Sequence, residues 1–519
     1  MGAATVGILL AAGISVGAGT AHADTSFAEI PYSEFEMRSH SDRTESVDAH
    51  IAADPRLSKV GLDAIVATGT GKAGLCYPTP FNPGVDADGY CWNNSEDDSG
   101  STGWAPQGLS VPHHASSDGT WNSKRWEVTS WHDSGDLPAK LRFVDRSSAT
   151  PRYIDVLLAE FNMHGELVQL QTHADSVVWY GDNLLVGSGA VINVFRLTDL
   201  LRAQHDPSGF PYVLPLSAMF RTPENGGTPC AAVSGDRPCL NSLSFDRANG
   251  ALLSSEWVND PSGGGRIVRW PFDLNTGLPK VGQASGAWVS PIVRMQGAVY
   301  AQGTFFMSGY CPASFDKPYR EQTCVHKATP NSATYVLTAV PDMTQNLDWD
   351  SSTGRVRGIN EVVQADQPYR QRLVFDFSPS ARPITTFRLK NVSSGKCLLP
   401  YGGKLQDGIT IVQWGCNGTS SQNWFWDGTQ IRNFQSSGCM TVYGGSTSNG
   451  AVINQWECNG SAAQQWYKAS SSAGGVLMVN SGSNLCLTIY GGSSTDGAEA
   501  VQWSCNSTSP AHAWTGSSV

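Results

Sequence analysis

The last quarter of this chain repeats one pattern three times, and that repeat constrains its fold more than any other feature. Each copy runs Cys, a Gly-Gly pair, Asn/Asp-Gly, Gln-Trp, Cys-Asn and a closing Gln-x-Trp or its variant. The copies run from Cys397 to Trp424 (CLLPYGG to QNW), from Cys439 to Trp466 (CMTVYGG to QQW) and from Cys486 to Trp514 (CLTIYGG to HAW). Units this short cannot bury an apolar face alone, so the copies must share one core. Their cysteine pairs share one spacing (416 − 397 = 458 − 439 = 505 − 486 = 19), and a repeated fold gives them equivalent bridges.

At 519 residues the chain is too long for one ordinary core, and two domains are expected. Charged residues make up only 15%, against a usual value of about 25%, while there are 17 Trp and 55 Gly. This suits extended β-structure with wide loops, and it suits sugar binding, where an indole face lies on the C–H face of a pyranose. A net charge of -11 argues against nucleic acid and anionic membrane surfaces as partners, because both need a basic footprint.

Residues 1–23 read as a secretory signal peptide: Ala3 to Ala21 are small and apolar, and Ala21-His22-Ala23 supplies a cleavage site. The positive n-region is missing, since the first basic residue is Arg38. A secreted, extracellular protein is therefore expected. The 12 cysteines agree, because they are even in number and fall into close pairs: Cys76/Cys91, Cys230/Cys239, Cys311/Cys324, Cys397/Cys416, Cys439/Cys458 and Cys486/Cys505.

Residues 24 to about 60 are polar and mixed in charge, and the segment 24–103 is expected to pack on or close the following domain. Gly69-Thr70-Gly71-Lys72-Ala73-Gly74 has glycine-loop spacing, but Leu75-Cys76-Tyr77-Pro78-Thr79-Pro80 cannot start the helix a dinucleotide loop needs. From 104 to 377 five irregular units recur, each a short apolar strand, a tight turn, a second strand and an outer strand, as in HADSVVW, YGDN, NLLVGSG and VINVFRL. Alternating apolar residues and Asn-Gly-type turns predict antiparallel β throughout, arranged as a five-bladed β-propeller, with a β-sandwich as the competing fold. This half also resembles uncharacterised secreted actinobacterial β-propeller proteins, a resemblance that implies no activity. Residues 378–384, with Pro379 and Pro383, read as a short stiff linker before a second domain at 385–519.

That second domain resembles the ricin-type lectins, a β-trefoil module. The resemblance implies three lobes about a pseudo-threefold axis, each with a shallow sugar site, and a core role for Trp424, Trp466 and Trp514. It maps the sugar-stacking aromatic onto Trp414, Trp456 and Trp503, and a polar partner onto Asn417, Asn459 and Asn506. Family lobes carry an Asp two residues after the first Cys; here Leu399, Thr441 and Thr488 stand there. A Thr hydroxyl accepts without charge assistance and Leu cannot accept, so the first lobe is expected to bind least. The third departs again, with His512 in place of Gln.

No motif in 24–377 names a reaction, and no metal or cofactor loop is present. Aligning the five units places Gln107, His173, Asn241, Gln296 and Gln345 at one face, with Trp131/His132/Asp133, Ser188, Glu256/Trp257, Tyr310 and Asn360/Glu361 beside them. Glycoside hydrolysis needs two carboxylates, so Glu256 and Glu361 are the expected pair, with Asp133 as substitute. His173 is the expected general base if the reaction is a lyase elimination. The expectation is a monomeric carbohydrate-binding protein, without metal or cofactor, whose lectin module targets a propeller to a polysaccharide. A non-catalytic glycan or cell-wall binder is the alternative.

Overall fold

The computed structural model describes residues 24–518 apart from 76–80, 82–84, 93–102, 114–118, 134–137, 204–208, 224–229, 231, 233–234, 236, 260–262, 313–322, 362–371, 381–385 and 437. Residues 1–23, where a signal peptide is expected, Cys76 and most of the expected linker lie outside these residues. Strands account for 51% of the chain, and the described residues hold one α-helix, Thr44–Ala53. The chain is all-β, as its alternating apolar pattern demands.

Residues 87–377 build five four-stranded antiparallel meanders. The first pairs Trp104–Ser110, Trp126–Asp133, Ala139–Asp145 and Arg152–Phe161 in sequence. The second uses Ser176–Tyr180, Asn183–Ser188, Val191–Arg196 and Tyr212–Arg221. The third takes Ser242–Asp246, Ala251–Ser255, Arg266–Asp273 and Gly286–Val289, and the fourth Gly297–Ala301, Thr304–Tyr310, Thr323–Ala328 and Ser332–Val340. The fifth takes Thr344–Asp350, Arg355–Asn360 and Leu373–Phe377 from late in this half, and its outermost strand, Ala87–Cys91, from early in the chain.

The first strands of the meanders touch one another in a closed circuit, with Thr344–Asp350 returning to Trp104–Ser110. They approach closely enough that a Cβ on Gly108 would lie 2.6 Å from the Ser176 backbone. Apolar clusters fill the space between successive meanders: Phe143 with Trp179, Val178 with Phe245, Leu253 with Phe305, Phe306 with Phe375, and Trp131 with Tyr90. Strand Asp24–Glu29 pairs with the outer strands of the third and fourth meanders. Glu36–Asp42 pairs with that of the second.

Buried ion pairs cross this half. Glu127 and Arg357 join the first meander to the fifth, and Asp155 lies 2.6 Å from Arg142 Nε and 2.7 Å from Lys140 Nζ. Burial pushes the Asp155 carboxyl up, but Arg142 and Lys140 more than offset it and hold it well below the usual carboxylate range.

The C-terminal region is built from three equivalent lobes. Hairpins Cys397–Pro400/Ile411–Trp414, Cys439–Val442/Ile453–Trp456 and Cys486–Ile489/Ala500–Trp503 stand above a barrel of six strands. Backbone contacts between Gln430 and Gln465 close that barrel. Trp424, Trp466 and Trp514 are fully buried, and each indole N–H donates to a backbone carbonyl, of Leu398, Met440 and Leu487 respectively, at 2.8 to 3.0 Å. Disulfides join Cys397–Cys416, Cys439–Cys458 and Cys486–Cys505 here, and Cys230–Cys239 and Cys311–Cys324 in the N-terminal half. Cys91 is also disulfide-bonded.

Candidate functional site

Each C-terminal lobe ends its hairpin with a Gln-Trp pair whose two side chains part at the surface. The glutamines turn inward: Gln413 donates to Ser493 O and Thr495 O, Gln455 to Lys404 O and Gln406 O, and Gln502 to Ser446 O and Ser448 O. Each thus grips a loop of a neighbouring lobe. The tryptophans turn outward, with Trp414, Trp456 and Trp503 exposed by 41%, 41% and 42%. Each indole rests against a neighbour's glycine, Gly497, Gly408 and Gly450 in that order, and a Cβ there would stand 3.3 to 3.6 Å from the ring. These glycines sit at φ of 80° to 82°, so the Asn/Asp-Gly of the repeat is needed both for the turn and for the contact.

Asn417, Asn459 and Asn506 are exposed beside these rings. Each uses Oδ1 to accept the backbone N–H two residues on. Glutamines of the Gln-x-Trp brace the same turn: Gln422 Oε1 accepts from Asn417 N at 2.9 Å and Gln464 Oε1 from Asn459 N at 2.8 Å. The third lobe has no such brace, because His512 replaces the glutamine.

The threonines correct one expectation. Thr488 is only 5% exposed and donates to Ala511 O, so its hydroxyl is withdrawn from the surface. Thr441 donates to Cys439 O and accepts from Gln464 Nε2, yet it still lines a cleft of about 600 Å³ with Tyr443, Trp456 and Asn459. Leu399 is buried. The sequence reading missed the tyrosine before each Gly-Gly: Tyr401, Tyr443 and Tyr490 are exposed by 52%, 60% and 60%, and their fixed place in the repeat was the available signal. A second hollow, lined by Phe387, Trp426, Lys468 and Trp514, shares none of these residues.

In the N-terminal half, contacts join the strand starts of four meanders at one end of the circuit. His132 and His173 stack with ring centroids 3.9 Å apart and planes at 25°. His173 Nδ1 lies 2.6 Å from Asp175 Oδ1, while Asp175 Oδ2 accepts from Asn241 Nδ2 at 3.2 Å and Gly189 N at 3.3 Å. His132 Nδ1 lies 2.9 Å from Asp133 O, and its Nε2 lies 3.2 Å from Gln107 Nε2 and 4.0 Å from Glu361 Oε1. Gln345 Nε2 donates to Glu361 Oε2 at 2.5 Å, and Ser308 Oγ, from the fourth meander, donates to Gln345 O. The His173 side chain is 40% exposed, that of His132 only 9%.

Glu256 does not take the catalytic place expected of it. It is 1% exposed, Arg266 grips both carboxylate oxygens at 2.7 and 2.9 Å, and Cys239 N and Arg266 N donate to the same group. A buried carboxylate so fully paired is a structural charge. Asp133 closes strand Trp126–Asp133, where its carbonyl serves His132. Asp175 was missed because it lies just outside its strand, immediately before Ser176–Tyr180. Among the described residues no group of three or more His, Cys, Asp or Glu is placed to hold a metal, and no helix is long and apolar enough to cross a membrane.

The family model of the ricin-type beta-trefoil lectin domain matches residues 385–515. Residues 385–515 are a ricin-type β-trefoil lectin domain. Solved structures similar to parts of the chain include the designed threefold-symmetric protein ThreeFoil, at 25% identity over 25% of this chain and 96% of that one, with a TM-score of 0.24. The Rhizoctonia solani agglutinin is 17% identical over 27% of this chain and 100% of its own, with a TM-score of 0.24. An exo-beta-1,3-galactanase from Clostridium thermocellum is 13% identical over 80% of this chain and 100% of its own, with a TM-score of 0.29. No curated protein matches the chain. The lectin domain accounts for the triple repeat.

Proposed function

We propose that this is a secreted, monomeric carbohydrate-binding protein whose lectin domain holds a polysaccharide or glycan while the N-terminal half acts on it. The observation that carries the reading is the set of outward indoles, Trp414, Trp456 and Trp503, each fixed on a neighbouring lobe and flanked by an asparagine. A rigid aromatic face beside an amide suits a pyranose with its hydroxyls. The second lobe leads, because Thr441, Tyr443, Trp456 and Asn459 share one cleft. The N-terminal half is read as a five-bladed β-propeller, supported by the five meanders and the closed circuit of their first strands. Its polar end, with His173 and Glu361, supports a glycoside hydrolase or lyase over a purely binding role.

Glycan-array binding of the whole protein tests the lectin reading. Trp456→Ala is expected to cost most, Trp503→Ala less and Trp414→Ala least. Binding unchanged in all three variants would reject these sites. Binding to no glycan at all would reject the function.

A further inference from the structure

We propose that the open end of the lectin barrel is a fourth ligand site, separate from the three lobes, and that it takes an aromatic carboxylate. It does not depend on sugar binding by the lobes.

The strand register shows how the site arises. In each lobe a core tryptophan faces an asparagine across a strand pair: Trp424 faces Asn433, Trp466 faces Asn480 and Trp514 faces Asn391. These tryptophans bond hairpin carbonyls, so their strands run on toward the other end of the barrel. Side chains alternate along a strand, and the residue two further on returns to the same face about 7 Å nearer that end. It is Trp426 in the first lobe, Lys468 in the second and Gly516 in the third, opposite the buried Ile431, Met478 and Leu389. One ring of equivalent positions thus holds an indole, an ammonium chain and no side chain at all. The missing side chain opens a hollow of about 790 Å³, whose walls include Phe387, Trp426, Met478 and Trp514.

The lining selects its ligand. Phe387 and Trp426 are inclined at 27° with centroids 6.3 Å apart, and Trp514 adds a third ring, fully buried. Such walls suit a flat apolar body stacked with an offset. Lys468 Nζ stands 5.4 Å from the centroid of Trp426 and 5.9 Å from that of Phe387. Among the described residues no carboxylate pairs with it. Asp427, beside Trp426, is taken by Arg432 at 2.8 Å. The indole Nε1 of Trp426 is buried and meets no acceptor. Thr515, the one lining side chain with an oxygen, donates to Lys390 O at 3.4 Å. The polar groups left to a ligand are therefore donors. A neutral sugar needs acceptors for its hydroxyl protons as well as donors. A carboxylate needs donors alone and gains charge assistance from Lys468.

Gly516 is not required by its backbone. Its φ lies outside the left-handed region, and a Cβ there would meet only Phe387 Cδ2, at an ordinary 3.9 Å. A large side chain at this position would close the hollow and leave the strand as it is.

The test is calorimetric titration of the whole protein with cinnamate, with cinnamyl alcohol as the neutral control and octanoate as the non-aromatic one. Cinnamate is expected to bind about tenfold more tightly than cinnamyl alcohol, the difference a charge-assisted contact makes. Lys468→Met should erase that preference, because it keeps the apolar chain and removes the cation. Gly516→Trp should weaken both cinnamyl ligands tenfold or more while glycan binding by the lobes stays at the wild-type level. If Gly516→Trp fails to give a folded melting transition, Gly516→Leu and Lys468→Met still decide. Trp456→Ala should bind cinnamate as the wild type does. Equal binding of cinnamate and its alcohol, a preference that survives Lys468→Met, tighter binding of octanoate, undiminished binding in the folded Gly516 variant, or loss in Trp456→Ala would each overturn the proposal.

Discussion

The two halves fasten their buried polar groups in opposite ways. The lectin domain uses amides: Gln413, Gln455 and Gln502 brace neighbouring loops, and Asn391, Asn433 and Asn480 bond carbonyls of Ala511, Ser421 and Ala463. The N-terminal half uses charge, with Glu127 on Arg357, Glu256 on Arg266 and Asp246 on Arg269. An amide keeps its donors and acceptors at any ordinary pH. A buried ion pair does not, and when one partner is lost the other is stranded.

The largest predicted effect is at such a pair. Arg266→Met leaves Glu256 buried and unpaired and should cost about 3–5 kcal/mol in the N-terminal half. Gln455→Leu removes an amide bracket and should cost only about 1–3 kcal/mol in the lectin domain. Hydrogen exchange resolved by peptide assigns each loss to its half, and equal losses would end the contrast.

The second effect is acid sensitivity. Burial holds the His326 imidazole down to about 4, against its usual 6.5, with only Tyr310 O to oppose it. The unfolded chain therefore binds a proton that the fold refuses. Stability is full above 6.5 and falls as pH drops toward 4, by about 3 kcal/mol. Denaturant midpoints measured across that window should fall for the wild type and stay flatter in His326→Gln.

The smallest effects separate two kinds of tryptophan within one domain. Trp456→Ala is expected to weaken glycan binding about tenfold, which is about 1.4 kcal/mol. Its stability cost should stay well below the roughly 3–5 kcal/mol expected for a fully buried ring such as Trp466. Comparing the two variants by thermal melting and glycan titration would show whether the outward rings serve binding or packing.

The same contrast explains what could be read before folding. The lectin domain was legible because its repeat is short and carries its cysteines, glycines and core tryptophans at fixed spacing. In the other half the first three strands of each meander follow one another, and their alternation was readable. The outer strands Tyr212–Arg221, Gly286–Val289 and Ala87–Cys91 were not, because long loops or the whole half intervene. Aligning strand starts did bring Gln107, His132, His173, Asn241, Gln345 and Glu361 to one end. It failed at Glu256, since nothing in a single sequence shows that Arg266, across a hairpin, will claim that carboxylate. It also passed over Asp175, which lies just before its strand and whose contact with His173 only the fold reveals.

Strand Ala87–Cys91 has a further consequence, for the order of synthesis. It leaves the ribosome before every strand of the meander it completes, and must wait for Leu373–Phe377 to emerge. The entropy of closing so long a loop grows only logarithmically, but long-range pairing slows folding. Until then both strands present open edges that invite wrong pairing. A nascent chain stopped anywhere before Leu373, or trimmed past Cys91, should therefore share one defect, a half that has most of its strands and cannot seal.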